Sequence, residues 1–203
     1  DEERGTAFEY TRSGQVVSSG RVRFAQVIPP IDETFDPRAA RFEAPSISEL
    51  LPHRGDMIWL ARVDGHDANR TRCVVDLHHS ARHLEAPSRR GELGAWASIE
   101  WMAQCISAHD TLHRLDLQRG DPEPRIGLLL GTRALHLHRG TIDVDEPCFV
   151  EVEHAWGGDE SLAVFDAVVF DREHRIIARA RLSCAIPDAV SYTHLRAHET
   201  FGY

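Results

Sequence analysis

The sequence lacks the surplus of basic charge that nucleic-acid-binding proteins need. Its 23 Lys and Arg residues are outnumbered by 32 Asp and Glu residues, which gives a formal net charge of −9 at pH 7. Proteins that bind nucleic acids use basic stripes to displace phosphate counterions. The two densest basic clusters here, Arg89-Arg90 and the stretch 175–181, are diluted by acidic and apolar residues. The charge balance therefore argues against a nucleic-acid partner.

Long hydrophobic runs and the common cofactor motifs are also missing. No apolar stretch approaches the roughly 18 to 20 residues that cross a bilayer, and no charged-then-apolar signal is visible at the N-terminus. The sequence has no G-x-G-x-x-G, no G-x-x-x-x-G-K-[ST] and no G-x-S-x-G motif. A dinucleotide site, a P-loop and a serine hydrolase are therefore not indicated. We expect a cytoplasmic protein without a membrane span and without a cofactor.

The potential metal ligands follow no recognisable spacing. The four cysteines stand far apart without a C-x-x-C pair, so we expect buried free thiols rather than a zinc ribbon. His136 and His138 alternate on a predicted strand and share one face. His78, His79 and His83 form a second group. No carboxylate or cysteine follows either group at ligand spacing, and 13 histidines make such groups common, so we expect no metal site.

Composition divides the chain into four segments. Residues 1–28 read as a β-hairpin with a turn at Ser13-Gly14, and they weakly resemble residues 165–187. This repeat fits the last hairpin of a truncated preceding copy of the same fold, although any two edge hairpins would look alike. Residues 29–46 form a proline-rich linker, 47–188 the main domain, and 189–203 a tail without periodicity that we expect to be non-native.

The main domain contains one long helical pattern. A short turn at 49–51 ends at Pro52, strands are expected at 57–63 and 72–77, and residues 78–93 read as an irregular loop. The helix runs from Ala95 to about Arg119, before Gly120-Asp121-Pro122. Its wide apolar face consists of Trp96, Ile99, Met102, Ala103 and Ile106. Glu100 and Gln104 lie one turn apart on this helix, so one of them is expected inside or at the edge of the core.

Only strands are expected after the helix. They lie at 125–130, 132–138, 148–156, 162–170 and 175–186, joined by Gly and Asp turns. A long buried helix followed by a run of antiparallel strands indicates an α+β fold, in which one sheet wraps the helix.

Two segments carry a resemblance to a known family. They are Leu51-Pro52-His53-Arg54, which precedes a strand, and Glu100-Trp101-Met102-Ala103-Gln104 in the helix. Together they resemble the hot-dog-fold β-hydroxyacyl-ACP dehydratases. The pattern around Gly94-Ala95-Trp96 and 127–133 is closer to the branch found in aryl polyene gene clusters. The resemblance covers about residues 47–187 and implies a hot-dog fold.

The resemblance implies loss of water from a 3-hydroxyacyl thioester on acyl carrier protein, giving a trans-2-enoyl thioester. This reaction needs a base for the C2 proton, an acid for the C3 hydroxyl and donors for the thioester oxygen. Glu100 matches the motif's acid, and its apolar neighbours predict a desolvated, partly protonated carboxyl. The helix start at Gly94 and Ala95 is expected to present unpaired N–H groups to the thioester oxygen. Trp96 and Gln104 complete the expected substrate-binding residues.

The base is the open question. Dehydratases of this fold usually carry the catalytic His in an H-F-P-G segment, and the matching position here is Ala86, fourteen residues before Glu100. We favour His53 as the base, because it alone stands in a family-like motif. A loop histidine such as His83 is the second possibility, and a chain that has lost half of its site is the third.

The resemblance also implies partners. Hot-dog proteins resemble one another in pairing their sheets edge to edge, so we expect a homodimer or a heterodimer with another hot-dog protein. Carrier proteins are acidic, and candidate docking residues are Arg89, Arg90, Arg133 and Arg139. The alternatives to a dehydratase are an acyl thioesterase on the same fold and a non-catalytic or half-site subunit that supports an active partner.

Overall fold

The computed structural model describes residues 6–22, 45–84, 91–117, 124–157 and 162–185. The expected linker up to residue 44, the tail at 189–203 and the positions Ala86, Arg89 and Arg90 lie outside these ranges. None of the helices in the described ranges is long and apolar enough to cross a membrane. All four cysteines are free thiols, and three of them are buried.

The main domain is a six-stranded antiparallel sheet with a long helix packed on it. The strand order across the sheet is β3-β4-β8-β9-β10-β6. These strands are β3 (Leu60–His66), β4 (Arg70–Val75), β6 (Leu128–Leu137), β8 (Cys148–Gly157), β9 (Leu162–Asp171) and β10 (Ile176–Ala185). A separate two-stranded sheet pairs β5 (Glu92–Gly94) with β7 (Thr141–Asp143). The expected α+β class with a helix against one antiparallel sheet is confirmed.

The core lies between the sheet and the long helix α3 (Ser98–Asp116). The helix buries Trp101, Met102, Cys105 and Leu112 completely. They meet equally buried sheet residues such as Val150, Val152, Val169 and Leu182. This burial of apolar area stabilises the helix, because β-branched side chains on the pleated sheet and long side chains on the helix fill the layer between them.

The N-terminal hairpin forms as expected, with its own two-stranded sheet. Strand β1 (Thr6–Arg12) pairs antiparallel with β2 (Gln15–Val22). The turn residues Ser13 and Gly14 have φ of 52° and 80°. Two successive positive φ values match the twist of a two-residue hairpin turn. Nothing in the described ranges tests whether this hairpin ends a preceding module.

The expectation of an irregular loop over 78–93 was wrong for its first half. Residues Leu77–His83 form the helix α2, which begins because the Asp76 side chain accepts the His79 backbone N–H at 2.8 Å. Ser80 is buried and donates its hydroxyl to the Asp76 carbonyl at 2.7 Å. The sequence of α2 is rich in histidine and arginine and shows no helical periodicity, because only Leu77 and Ser80 of this short helix are buried.

Two other boundaries differ from the sequence prediction. Residues Leu128–Leu137 are one strand, and the expected break at Gly131 is absent; the positive φ of 57° at Ala134 bends the strand instead. Residues Ala95–Ala97 form a 3-10 turn before α3 begins at Ser98. Because of this turn Trp96 is 55% exposed rather than part of the buried face.

A series of hydrogen-bonded polar side chains joins β3 and β4 to α3. The Thr71 hydroxyl lies 2.7 Å from His66 Nδ1 and 2.9 Å from His109 Nδ1, and His66 Nε2 lies 3.1 Å from the carboxylate of Asp116. If Asp116 accepts from His66 Nε2, Thr71 donates to His66 and accepts from His109. Burial, reinforced by three neighbouring histidines, lowers the pKa of His109 from 6.5 to about 3. His109 is therefore held in its neutral form.

This neutral histidine makes the fold sensitive to acid. The folded-state pKa of His109 lies below its ordinary value, so the unfolded chain takes up the proton first as pH falls. Its contribution to stability is complete above about pH 6.5 and is lost toward pH 3, by up to about 1.4 kcal/mol per pH unit. We expect the free energy of unfolding, measured with urea at about pH 7 and about pH 5, to fall less between the two pH values in His109→Gln than in the wild type. The exposed His78→Gln should keep the wild-type slope, and an unchanged slope in His109→Gln would contradict the assignment.

Candidate active site

The segment that carries His53 is a turn closed by its own arginine. Arg54 donates from Nη1 to the carbonyl of Leu51 at 2.5 Å and to that of His53 at 2.8 Å. Gly55 follows with φ of 55°, a conformation that glycine adopts without steric cost. A 3-10 turn over Gly55–Met57 then leads the chain toward β3. Arg54 therefore fixes the backbone of His53, a role that the sequence motif alone did not reveal.

Gln104 connects this turn to α3. Its side chain is fully buried. Its Oε1 accepts the Trp59 backbone N–H at 2.9 Å, and its Nε2 donates to the Met57 carbonyl and to Glu100 Oε1, each at 2.9 Å. A donor and two acceptors at these positions fix which end of the amide is oxygen. The expectation that Glu100 or Gln104 lies inside the core is confirmed for Gln104.

The structure brings His53 and Glu100 together. His53 Nε2 lies 3.5 Å from Glu100 Oε1, and the two side chains are 29% and 35% exposed. Within the described ranges, Glu100 Oε2 has no hydrogen-bond partner. The Nδ1 atom of His53 is buried and likewise has no partner among the described residues. The site thus offers one nitrogen beside a carboxyl whose second oxygen is accessible.

This exposure differs from the expectation for Glu100. The sequence predicted a carboxyl enclosed by apolar neighbours, but Trp101 and Met102 are fully buried in the core, where the Trp101 indole donates to Ser80 on α2. About a third of the Glu100 side chain remains accessible. Within this one chain the carboxyl therefore keeps contact with solvent.

The start of α3 is positioned by the β5–β7 sheet. The Ala95 N–H donates to the Gly140 carbonyl at 3.0 Å, so it is not the unpaired donor that the sequence predicted. The exposed Trp96 indole lies directly against Gly94: a Cβ atom at Gly94 would stand 2.1 Å from Trp96 Nε1. Glycine is therefore required at position 94 for Trp96 to cover the backbone there. Trp96 lies four residues before Glu100.

The other candidate residues lie elsewhere. His79 Nε2 donates to the Asp56 carbonyl at 3.0 Å, and His83 Nε2 lies 3.9 Å from the Asp56 carboxylate. His78 pairs with Asp145. Among the described residues, only His53 places a ring nitrogen within 4.0 Å of Glu100. Arg139 is paired with Asp171 and Glu146, whereas Arg133 is exposed on β6.

Comparison with known families shows which family this chain belongs to. The model of the ApeP-like family, described as ApeP dehydratase, matches residues 45–195. The chain belongs to the ApeP-like dehydratase family. The match includes both the His53 turn and the helix with Glu100 and Gln104, so the family expected from these two segments is confirmed. Membership of the ApeP-like family supports an enzyme of the hot-dog type.

One solved structure shows the same fold. A chain of the dehydratase heterocomplex ApeI:P from Xenorhabdus doucetiae superposes with a TM-score of 0.65 at 21% identity, covering 74% of this chain and 97% of the other. AziG from S. sahachiroi has a TM-score of 0.46 at 14% identity, covering 62% and 89%. A mutant thioesterase from Pseudomonas aeruginosa has a TM-score of 0.46 at 17% identity, covering 62% and 79%. No match was found among curated proteins.

Replacing Gln104 should separate α3 from the His53 turn. Gln104→Leu leaves the Trp59 N–H and the Met57 carbonyl without their partner, and each buried unsatisfied group costs about 1–3 kcal/mol. We therefore expect a loss of about 3 kcal/mol in the free energy of unfolding, measured by urea denaturation. Ser107→Ala on the same helix is the matched control and should change stability by less than about 1 kcal/mol. A Gln104→Leu protein as stable as the control would show that these bonds are not made.

Proposed function

We propose that this chain dehydrates a 3-hydroxyacyl thioester held on an acyl carrier protein, giving the trans-2-enoyl thioester, in fatty-acid-like or aryl polyene biosynthesis. The contact between His53 Nε2 and Glu100 Oε1 at 3.5 Å is the observation that carries this proposal. It supplies a base and an acid side by side, as the elimination of water requires. Membership of a dehydratase family supports the same reaction class.

The two side chains have separate roles in this proposal. His53 Nε2 takes the proton from C2, the C2 electrons form the new double bond to C3, and Glu100 gives a proton to the C3 hydroxyl, which leaves as water. Glu100 Oε1 is held by Gln104, so the free Oε2 is the oxygen that faces the leaving group. Proton return from His53 to Glu100 across their contact restores the starting state. Gln104 acts as a positioning residue, while Gly94 and Trp96 border the substrate.

We infer that a second hot-dog chain completes the site. The accessible Glu100 carboxyl fits a site that another surface covers. Strand β6 stands at the edge of the sheet, and Leu128, Leu129 and Leu130 on it are 46%, 41% and 57% exposed. A ten-residue edge strand with such an apolar run fits an edge-to-edge partner, either a second copy or a related chain.

Arg133 is the described residue that best suits docking of an acidic carrier. It is exposed on β6, and the structure shows no acidic side chain paired with it among the described residues. Arg139 is less suited, because two carboxylates already hold it. The four free thiols fit a reducing compartment such as the cytoplasm, where we place the reaction.

Mass spectrometry of a 3-hydroxyacyl carrier protein tests the reaction. Incubation with the chain, alone or with a hot-dog partner, is expected to remove one water from the acyl group. His53→Ala and Glu100→Gln should each slow this loss by roughly 10²–10⁴-fold, because each removes one partner of the acid–base pair. His78→Ala and Glu173→Gln, two exposed residues away from the site, are the matched controls and should keep the wild-type rate.

Other products would decide between the alternatives. Release of free acid instead of the enoyl thioester would identify a thioesterase. Full activity of Glu100→Gln in an assembled complex would identify a non-catalytic subunit. The absence of an H-F-P-G histidine before α3 motivates this last alternative.

The proposed edge contact has its own test. Leu130→Arg places a charge in the apolar run of β6 and is expected to shift the chain from dimer to monomer, or to weaken the complex with its partner chain, in size-exclusion chromatography with light scattering. Leu117→Arg changes an exposed leucine at the end of α3 and should leave assembly unchanged. Equal assembly of the wild type and Leu130→Arg would place the interface elsewhere.

A further inference from the structure

A group of three potential metal ligands lies beside the His53 turn, outside the proposed catalytic pair. One ligand atom each from Asp56, His79 and His83 lies within 4.8 Å of the other two. His79 and His83 occupy neighbouring turns of α2, with ring centroids 4.8 Å apart. Asp56 comes from the Gly55–Met57 turn, and its Oδ1 lies 3.9 Å from His83 Nε2. The group therefore joins two elements that are distant in sequence.

We propose that Asp56, His79 and His83 form a binding site for a divalent transition-metal ion of the zinc type. Two imidazoles and one carboxylate are a donor set that suits such ions, with Zn–N and Zn–O distances of about 2.0–2.2 Å. Tetrahedral coordination at these distances separates ligand atoms by about 3.4 Å. The observed separations, up to 4.8 Å, need to close by up to about 1.4 Å, which rotation of surface side chains provides.

The surroundings of the group fit this ion. The Asp56 and His83 side chains are 80% and 32% exposed, so solvent gives an ion direct access. The backbone beneath them is held firmly: the Asp56 carbonyl accepts from the Trp59 indole at 3.1 Å, and Asp76 caps the start of α2. Because the backbone is held and the side chains of the ligands can rotate, a metal ion can gather its ligands without unfolding either element.

Arg82 competes with the ion for His79. Its Nη2 lies 2.9 Å from His79 Nδ1, and since a guanidinium only donates, Nδ1 is the acceptor and the ring proton is on Nε2. A metal on Nδ1 replaces Arg82 directly. If the metal binds Nε2, the ring proton moves to Nδ1, which can then no longer accept from Arg82. In both cases the Arg82 contact is lost, so Arg82 weakens binding.

An ion at this site would tie α2 to the segment that carries His53 and Met57. The Met57 carbonyl accepts from Gln104, so the same segment already joins α3. The hydrogen bond from His79 Nε2 to the Asp56 carbonyl already joins α2 to this turn, and the bound ion adds a tether through the side chains. It is separate from the proposed acid–base chemistry, and the dehydratase proposal holds or fails independently of it.

Isothermal titration of the full chain with zinc chloride, together with the visible spectrum of the cobalt-substituted protein, tests the site. The wild type is expected to bind the ion, and His83→Gln and Asp56→Asn should each weaken binding by at least about tenfold, since even outer-sphere changes cost that much. Arg82→Ala should bind more tightly. His78→Gln, an exposed neighbour on the same helix, should match the wild type.

Thermal unfolding gives a second readout that does not depend on activity. Zinc is expected to raise the unfolding midpoint of the wild type and of His78→Gln by mass action, and to raise those of His83→Gln and Asp56→Asn by clearly less at the same zinc concentration. No binding by the wild type would overturn the proposal. So would binding of equal affinity by the wild type, His83→Gln and Asp56→Asn, because the ion would then occupy other histidines.

Discussion

The buried amide of Gln104 is the contact on which the candidate site depends. It joins two segments that are far apart in sequence: the backbone between the His53 turn and β3, at Met57 and Trp59, and the helix α3, where it also holds the Glu100 carboxyl one turn away. An amide has one acceptor and two donor hydrogens to offer, and all three directions are used. Since the amide is sealed from water, none of these bonds can be exchanged for a solvent bond without cost. The distance between His53 and Glu100 follows from this junction.

The site is built on rigid elements but is open on one side. Arg54 closes the turn that carries His53, and the β5–β7 pair fixes the start of α3. The Glu100 carboxyl nevertheless keeps contact with solvent. Acid–base chemistry on a carrier-bound acyl chain gains from exclusion of water, because electrostatic interactions strengthen in a dry site. In the proposed assembly, the second chain would supply the covering surface that this chain leaves open.

Histidines in this chain occupy three physical environments. His53 borders the candidate catalytic carboxyl, His66 and His109 are enclosed in the core with Thr71 between them, and His79 and His83 stand on the surface of α2. Burial holds His109 neutral, whereas the rings on α2 stay accessible to solvent and ions. The same residue type therefore serves as a base candidate, a core hydrogen-bonding group and a potential ligand. The difference is set by what packs around each ring.

The sequence by itself determined the fold class, the long helix, most strands and the family, because hydrophobic periodicity and the two motifs around His53 and Glu100 are local patterns. The tertiary structure alone decided that β6 is one strand and that residues 77–83 are helical, since their burial depends on neighbours far away in sequence. It also decided that Gln104 spans α3 and the His53 turn, that Glu100 stays accessible and that Asp56 meets His79 and His83. Each of these is a contact across more than twenty residues or a matter of enclosure, and no spacing rule along the chain encodes either.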